Sequence, residues 1–184
     1  MSCIDAEASY RTLLTQIRDA YGHLFGSAAA PELAGIHSGG AWLAKRLASD
    51  LGIERFGVIN VALHRDDYAK KGLHSQASPT SLPFDVDGRR IVLVDDVLYT
   101  GRTVRAAINE LYDYGRPAAI ELAVLAERGG RELPIAARFV GAHVELADDA
   151  TLVLVREAQG EGDGETDRDG ETDRFTFRTE PRTD

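Results

Sequence analysis

An α/β fold built on a mostly parallel sheet is what this sequence predicts, on three observations. Short runs rich in β-branched residues alternate with stretches whose apolar residues recur at helical spacing, the pattern of βαβ units. One run, Ile91 to Val94, ends in the acid pair Asp95-Asp96 and then passes through a short polar loop, Tyr99 to Thr103, into a helical pattern. The last part of the chain alternates instead with period two, as the strands of a hairpin do.

The elements follow in order. Asp5 to Leu24 places Leu13, Leu14, Ile17 and Tyr21 on one side of an amphipathic first helix. Glu32 to His37 is a short apolar stretch, and Ser38-Gly39-Gly40 turns the chain. Ala41 to Leu51 reads as a second helix, with Trp42, Leu43, Leu47 and Leu51 on one side. Gly57 to Leu63 is a strand. His64 to Phe84 is polar and aperiodic, and a loop of that length in a compact domain is usually functional. Arg90 to Val94 is a strand, Thr103 to Tyr114 a helix, and Gly115-Arg116-Pro117 stops it. Ala118 to Ala126 and Phe139 to Leu146 are further strands, separated by the polar loop that starts at Arg128. In parallel sheets, ligands bind at the carboxyl ends of the strands, so the loops there should converge on one cleft.

Thr151 to Arg156 and Phe175 to Arg178 predict the closing hairpin. Between them the unit GETDRD/GETDRF is repeated in a stretch too polar to bury a core. Residues 157–174 are therefore expected to form an acidic, disordered hairpin tip within a single domain spanning residues 1–184.

Composition narrows the function. The chain of 184 residues is 43% hydrophobic and 28% charged, as in an ordinary globular domain. The net charge of −9 is uneven: from Glu157 onward, ten acids face four arginines. Such a chain is no general nucleic-acid binder. The one cysteine, Cys3, fits a reducing compartment. The sequence shows neither a long apolar run nor a signal-peptide pattern, which makes a cytoplasmic location and no membrane partner the expectation.

Several chemistries are excluded. There is no Walker A loop and no dinucleotide-binding glycine fingerprint after a strand. The five histidines form no i,i+4 pair and have no neighbouring cysteine ligand, so no structural or catalytic zinc is expected. Ser38 lacks the frame of a nucleophile elbow. Asp95 and Asp96 are adjacent, and neighbours on a strand point to opposite faces, so they cannot both attack one phosphate. They suit a phosphorylated ribose instead. Carboxylates accept hydrogen bonds from sugar hydroxyls. The Thr100 to Thr103 loop offers backbone N–H groups, two hydroxyls and a helix N-terminus to a phosphate. Gly101 permits a positive φ there.

The thirteen residues IVLVDDVLYTGRT resemble the signature of type I phosphoribosyltransferases, which bind 5-phosphoribosyl-1-diphosphate (PRPP). More narrowly they resemble the PyrR family of pyrimidine-operon regulators and uracil phosphoribosyltransferases. GIHSGGAWLAKRL, LHRDDYAKKG, LYDYGRPAAIELAVLAERGGRELPI and the FVG after it match the same family, so the likeness runs from about Leu33 to Val155. It implies a type I phosphoribosyltransferase fold: a central, mostly parallel sheet flanked by helices, with a small hood and a C-terminal β-hairpin. It implies transfer of a phosphoribosyl group from PRPP to uracil, giving UMP and diphosphate, with Mg²⁺ carried by PRPP. Purine-specific relatives have an aspartate where this chain has Tyr99, which favours a pyrimidine base.

Residue by residue, the resemblance implies that Asp95 and Asp96 hold the ribose hydroxyls. Val97, Leu98, Tyr99, Thr100, Gly101, Arg102 and Thr103 would line the nucleotide, the last four around its 5′-phosphate. Ser38 and Gly39 match the diphosphate loop. Arg65, with Asp66 and Asp67, opens a lid and is placed with the two site acids in catalysis, and Lys70 and Lys71 reach toward diphosphate. Glu127, Arg128 and Gly129 fall in the base-binding region; Arg131 reads best as a surface salt bridge. Two departures stand out: many relatives have an arginine in place of Gly39 and an aspartate in place of Glu127. The implied partners are uracil, PRPP, UMP or UTP, and a second or further copies of the chain in a homodimer or homotetramer. The alternative reading is a UMP/UTP-sensing, RNA-binding attenuator with weak or no catalysis. Against it, the family's basic RNA-facing positions are here Gln16, Asp19, Gly130 and Ala136, although Arg128, Arg131, Arg18 and Lys45 keep some positive charge.

Overall fold

The computed structural model describes residues 4–61, 79–157 and 174–182. Helix α1 (Ala6–Tyr21) starts where the Asp5 carboxylate accepts hydrogen bonds from the N–H groups of Glu7 and Ala8. Its buried face carries Tyr10, Leu13, Ile17 and Tyr21. Strand β1 (Glu32–Ile36) is buried along its whole length. Helix α2 (Gly39–Leu51) begins directly at the Ser38-Gly39 step, two residues earlier than periodicity indicates, and ends at Gly52, whose φ of 67° permits the left-handed cap.

β2 (Gly57–Ile59), β3 (Arg90–Leu98), α3 (Arg102–Tyr114), β4 (Ala119–Arg128) and β5 (Phe139–Val144) complete the main unit. Five strands form a sheet in the order β2-β1-β3-β4-β5, and every pairing is parallel. A separate antiparallel pair joins β6 (Ala150–Glu157) to β7 (Arg174–Pro181). Residues 158–173, which hold nearly all of the expected acidic tip, lie outside the described residues.

The strand residues alternate between two cores. Val92 and Val94 pack with α1 and α2, whereas Ile91 and Leu93 pack with Val104, Ala107 and Leu111 of α3. Each fully buried aliphatic side chain of this kind stabilises the fold by roughly 1.5–3 kcal/mol. The hairpin contributes Leu154 and Phe175 to the first core and Leu152 to a third, smaller one beside Ala126 and Val144.

Two strands outrun their sequence reading. β3 does not stop at Val94 but continues through both acids to Leu98, because β4 pairs with it as far as Leu98↔Glu127. β4 in turn runs to Arg128, paired with Val144. Tertiary pairing here overrides the weak strand propensity of acidic residues. At the open side of β5, the Gln16 amide donates to Val140 O at 2.9 Å and accepts from Val140 N at 3.0 Å. A side chain of α1 thus satisfies both backbone groups of one residue of the outermost strand. Among the described residues, no helix is long and apolar enough to cross a membrane.

Candidate functional site

The strand order reverses direction between β1 and β3. In an open parallel sheet such a switch point opens a crevice at the carboxyl ends of the two strands. The loops that leave β1 and β3 there are Ser38-Gly39 and Tyr99-Thr100-Gly101, and the first packs on the strand that leads into the second.

Contact is closest between Gly39 and Asp96. A Cβ on Gly39 would fall 2.4 Å from Asp96 Oδ2 and 2.9 Å from its Cβ. A Cβ on Gly40 would fall 2.3 Å from the carbonyl oxygen of Val94. The glycines thus let the start of α2 lie flat on the acid-bearing part of β3. The His37–Ser38 peptide just before them is cis. Asp95 is buried at 4% exposure, and Asp96 is half-buried. Each carboxylate accepts from the next residue's amide: Asp96 N–H to Asp95 Oδ1 and Val97 N–H to Asp96 Oδ1, both at 3.0 Å.

Beyond the acids, Val97 packs with the third core and Leu98 with the second, so the strict alternation of β3 ends there. Gly101 has a φ of 91° and caps α3, its carbonyl accepting from Arg105 N–H at 2.9 Å. That leaves the amides of the first helical turn without partners in the helix; the one on Arg102 donates to Thr100 Oγ1 at 3.2 Å. A cavity of about 120 Å³ sits over this turn, lined by Asp95, Val97, Leu98, Tyr99, Thr100, Gly101, Thr103 and Val104. It is small, polar and capped by a helix N-terminus, which suits a phosphate group and its neighbouring sugar.

The loop after β4 braces the turn from above. The N–H groups of Glu132 and Leu133 donate to Thr100 O at 3.1 and 3.2 Å. Arg102 pairs with Glu132 at 2.7 Å. Arg131 is no plain surface ion pair: it meets Glu127 at 2.5 Å, donates to the Tyr99 carbonyl, and is only 23% exposed. Glu127 also faces His143 at 3.5 Å.

Arg128 goes elsewhere than the base-binding reading expects. Its side chain is 5% exposed, donates to the carbonyls of Ala150 and Ala147 at 2.5 and 3.2 Å, and stacks 4.1 Å from the centre of the Tyr99 ring. The carbonyls that draw it lie some twenty residues downstream, beyond the reach of any local motif. Gly129 forms the start of the turn that follows. Among the described residues, no group of three or more His, Cys, Asp or Glu side chains is placed to hold a metal ion. Arg65, Asp66, Asp67, Lys70 and Lys71 lie outside the described residues.

This fold and site define a class. The phosphoribosyl transferase domain family matches residues 8–151. Among solved structures, the purine phosphoribosyltransferase of Pyrococcus horikoshii is similar with a TM-score of 0.53 at 24% identity, over 75% of this chain and 82% of that one. A hypoxanthine-guanine phosphoribosyltransferase of Leishmania tarentolae in complex with GMP gives 0.58 at 14% identity, over 83% and 84%. At such identities the likeness is one of fold. The bifunctional protein PyrR of Ralstonia nicotianae is 58% identical over 98% of this chain and 97% of its own length. That of Nitrosococcus oceani is 54% identical over 67% of this chain and 72% of its own. The chain belongs to the phosphoribosyl transferase domain family and, within it, to the PyrR proteins.

Proposed function

We propose that this protein is a uracil phosphoribosyltransferase that converts uracil and PRPP to UMP and diphosphate, with a second role in regulating pyrimidine-biosynthesis genes. The observation that carries the reading is the packing of the glycine start of α2 against the acid-bearing end of β3 at the switch point. It sets the acids of β3 beside both a phosphate-accepting helix start and the glycine turn of α2.

In this reading Asp95 and Asp96 accept hydrogen bonds from the ribose hydroxyls. Their fixed negative charge also favours the positive character that the anomeric carbon gains as diphosphate departs. Thr100, Gly101, Arg102 and Thr103 hold the 5′-phosphate. Ser38 and Gly39 face the diphosphate, whose loss from the anomeric carbon leaves that carbon open to N1 of uracil. Val97, Leu98 and the Glu127 to Gly129 segment flank the base, with Arg128 contributing through its backbone and through the ring it supports. Arg65, outside the described residues, is proposed to act with the two acids, as the family resemblance implies. Mg²⁺ carried by PRPP would supply neutralisation of leaving-group charge; its ligands would be mainly PRPP oxygens and water, with Asp95 and Asp96 the site carboxylates on the ribose side. Catalysis then rests on positioning and electrostatics, without a covalent intermediate.

The test is diphosphate release from PRPP and Mg²⁺ with a panel of bases. Uracil-dependent release with UMP as the product is expected. Turnover of hypoxanthine or guanine in place of uracil would overturn the choice of base. That the PyrR relatives are named bifunctional favours the second role. Leader RNA of a pyrimidine operon, titrated at several salt concentrations with and without UMP, checks it: binding that UMP does not alter would sink a nucleotide-sensing attenuator.

A further inference from the structure

Tyr99 belongs to the turn assigned to the 5′-phosphate, yet its side chain is gripped from outside that turn. The Arg128 guanidinium lies 4.1 Å from the ring centre. Gly130, at a φ of 95°, approaches so closely that a Cβ there would fall 2.4 Å from the ring's Cε2. Arg182 Nη1 donates to the phenolic oxygen at 3.1 Å, with its guanidinium carbon 5.7 Å from the ring centre.

The two arginines share one foundation. Arg128 donates to the carbonyls of Ala147 and Ala150, and the backbone N–H of Arg182 donates to Asp149 O at 2.6 Å. The short turn that opens the hairpin therefore holds both. The hairpin's second strand lies entirely beyond residue 151, where the domain-family match ends.

We infer that Tyr99 and Arg182 form a latch through which the C-terminal strand holds the Tyr99–Thr103 turn in its phosphate-receiving conformation. Arg182 is a positioning residue; it acts through Tyr99. A glycine-containing turn left free must be ordered when ligand binds, and that entropy opposes binding. A turn already fixed by an aromatic anchor escapes most of that opposition. The inference rests on the reading of this turn as the 5′-phosphate site.

The experiment uses the full chain with Arg182→Ala, Arg182→Lys, Tyr99→Phe and the Arg182→Ala/Tyr99→Phe double variant. Ribose 5-phosphate binding by calorimetry, steady-state kinetics and amide hydrogen exchange are compared. Arg182→Ala is expected to weaken ribose 5-phosphate and raise KM for PRPP by about three- to tenfold, the scale of one hydrogen bond. KM for uracil stays put, and the melting temperature stays within about 3 °C. Exchange quickens at residues 99–103 but not inside β3. Arg182→Lys, which keeps a donor, recovers part of the loss, and the double variant is no worse than either single one. Unchanged exchange and affinity in Arg182→Ala, or losses that add in the double variant, would overturn the latch. A wild-type chain that binds no ribose 5-phosphate would overturn the functional reading instead, while the exchange comparison still decides whether Arg182 orders the turn.

Discussion

Two pairs of acids on the parallel sheet treat charge differently, Glu32 and Glu121 at its amino end and Asp95 and Asp96 at the carboxyl end of β3. At the amino end, acids are matched with cations. Glu32, 6% exposed, accepts from Arg89 at 2.8 Å and from Arg55 at 3.2 Å. Glu121 accepts from the Tyr21 hydroxyl and from the guanidiniums of Arg90 and Arg138. Burial pushes the Glu121 carboxyl up, but the Tyr21 hydroxyl and the two arginines outweigh it and hold it below the usual carboxylate range. At the carboxyl end, Asp95 and Asp96 take hydrogen bonds from main-chain amides, which orient a carboxylate without cancelling its charge. The first pair uses charge for cohesion; in the proposed function the second offers it to the ligand, while Glu127 at the same end of the sheet is paired with Arg131.

The largest expected effect comes from neutralising the second pair. Asp95→Asn with Asp96→Asn should weaken PRPP binding at least about a hundredfold, since each charge-assisted hydrogen bond contributes about 1.5–3 kcal/mol. Calorimetry measures that loss, and a melting temperature near that of the wild type would show that the acids serve the ligand rather than the fold. Unchanged affinity would remove the distinction between the pairs.

Glu121→Ala reverses the pattern. It deprives the Tyr21 hydroxyl and two half-exposed arginines of their acceptor, and should lower stability by about 2 kcal/mol in urea titrations, the scale of one charge-assisted hydrogen bond, while leaving KM for PRPP unaltered. The pH dependence follows from the lowered carboxyl. Its stabilisation is complete above the unfolded value of about 4.3 and fades as pH falls from there through the lower folded value. The wild type should therefore lose more melting temperature between pH 6 and pH 3 than Glu121→Gln does, and equal slopes would refute the assignment.

Gln16→Ala, beside the middle of the sheet's edge, removes two neutral hydrogen bonds and should cost about 1–2 kcal/mol. Glu132→Gln is the mildest change. Its pair with Arg102 is exposed on both sides, 62% and 46%, so stability should move by no more than about 0.5 kcal/mol.

Legibility followed the range of the interactions. The β3–turn–α3 unit could be read from the chain because its parts are neighbours: an apolar run, acids, a glycine that must take a positive φ, then helical spacing. α1 and the hairpin strands were equally plain, since periodicity alone reports them. The reach of β3 to Leu98 and of β4 to Arg128 was not, because each strand is extended by the other. Arg128 shows the limit most clearly. An arginine after a strand, next to glycines, suggests a ligand contact, yet two carbonyls and an aromatic ring from distant segments claim its side chain. The socket around Tyr99 left no mark in the sequence for the same reason: its walls come from two stretches far apart in the chain, Arg128 to Gly130 and Arg182. Gln16, a polar residue on a helix, gave no hint that it would close the edge of the sheet.

The glycine pressed against Asp96 carries a corollary for substitution. On this backbone, positions 39 and 96 compete for one small volume, so neither can be altered as though the other were absent. Placing an arginine at 39 requires the neighbouring carboxylate to rotate or the helix start to withdraw. Any side chain larger than glycine at 39 is therefore constrained by the Asp96 carboxylate, and relief at one position has to come from movement at the other.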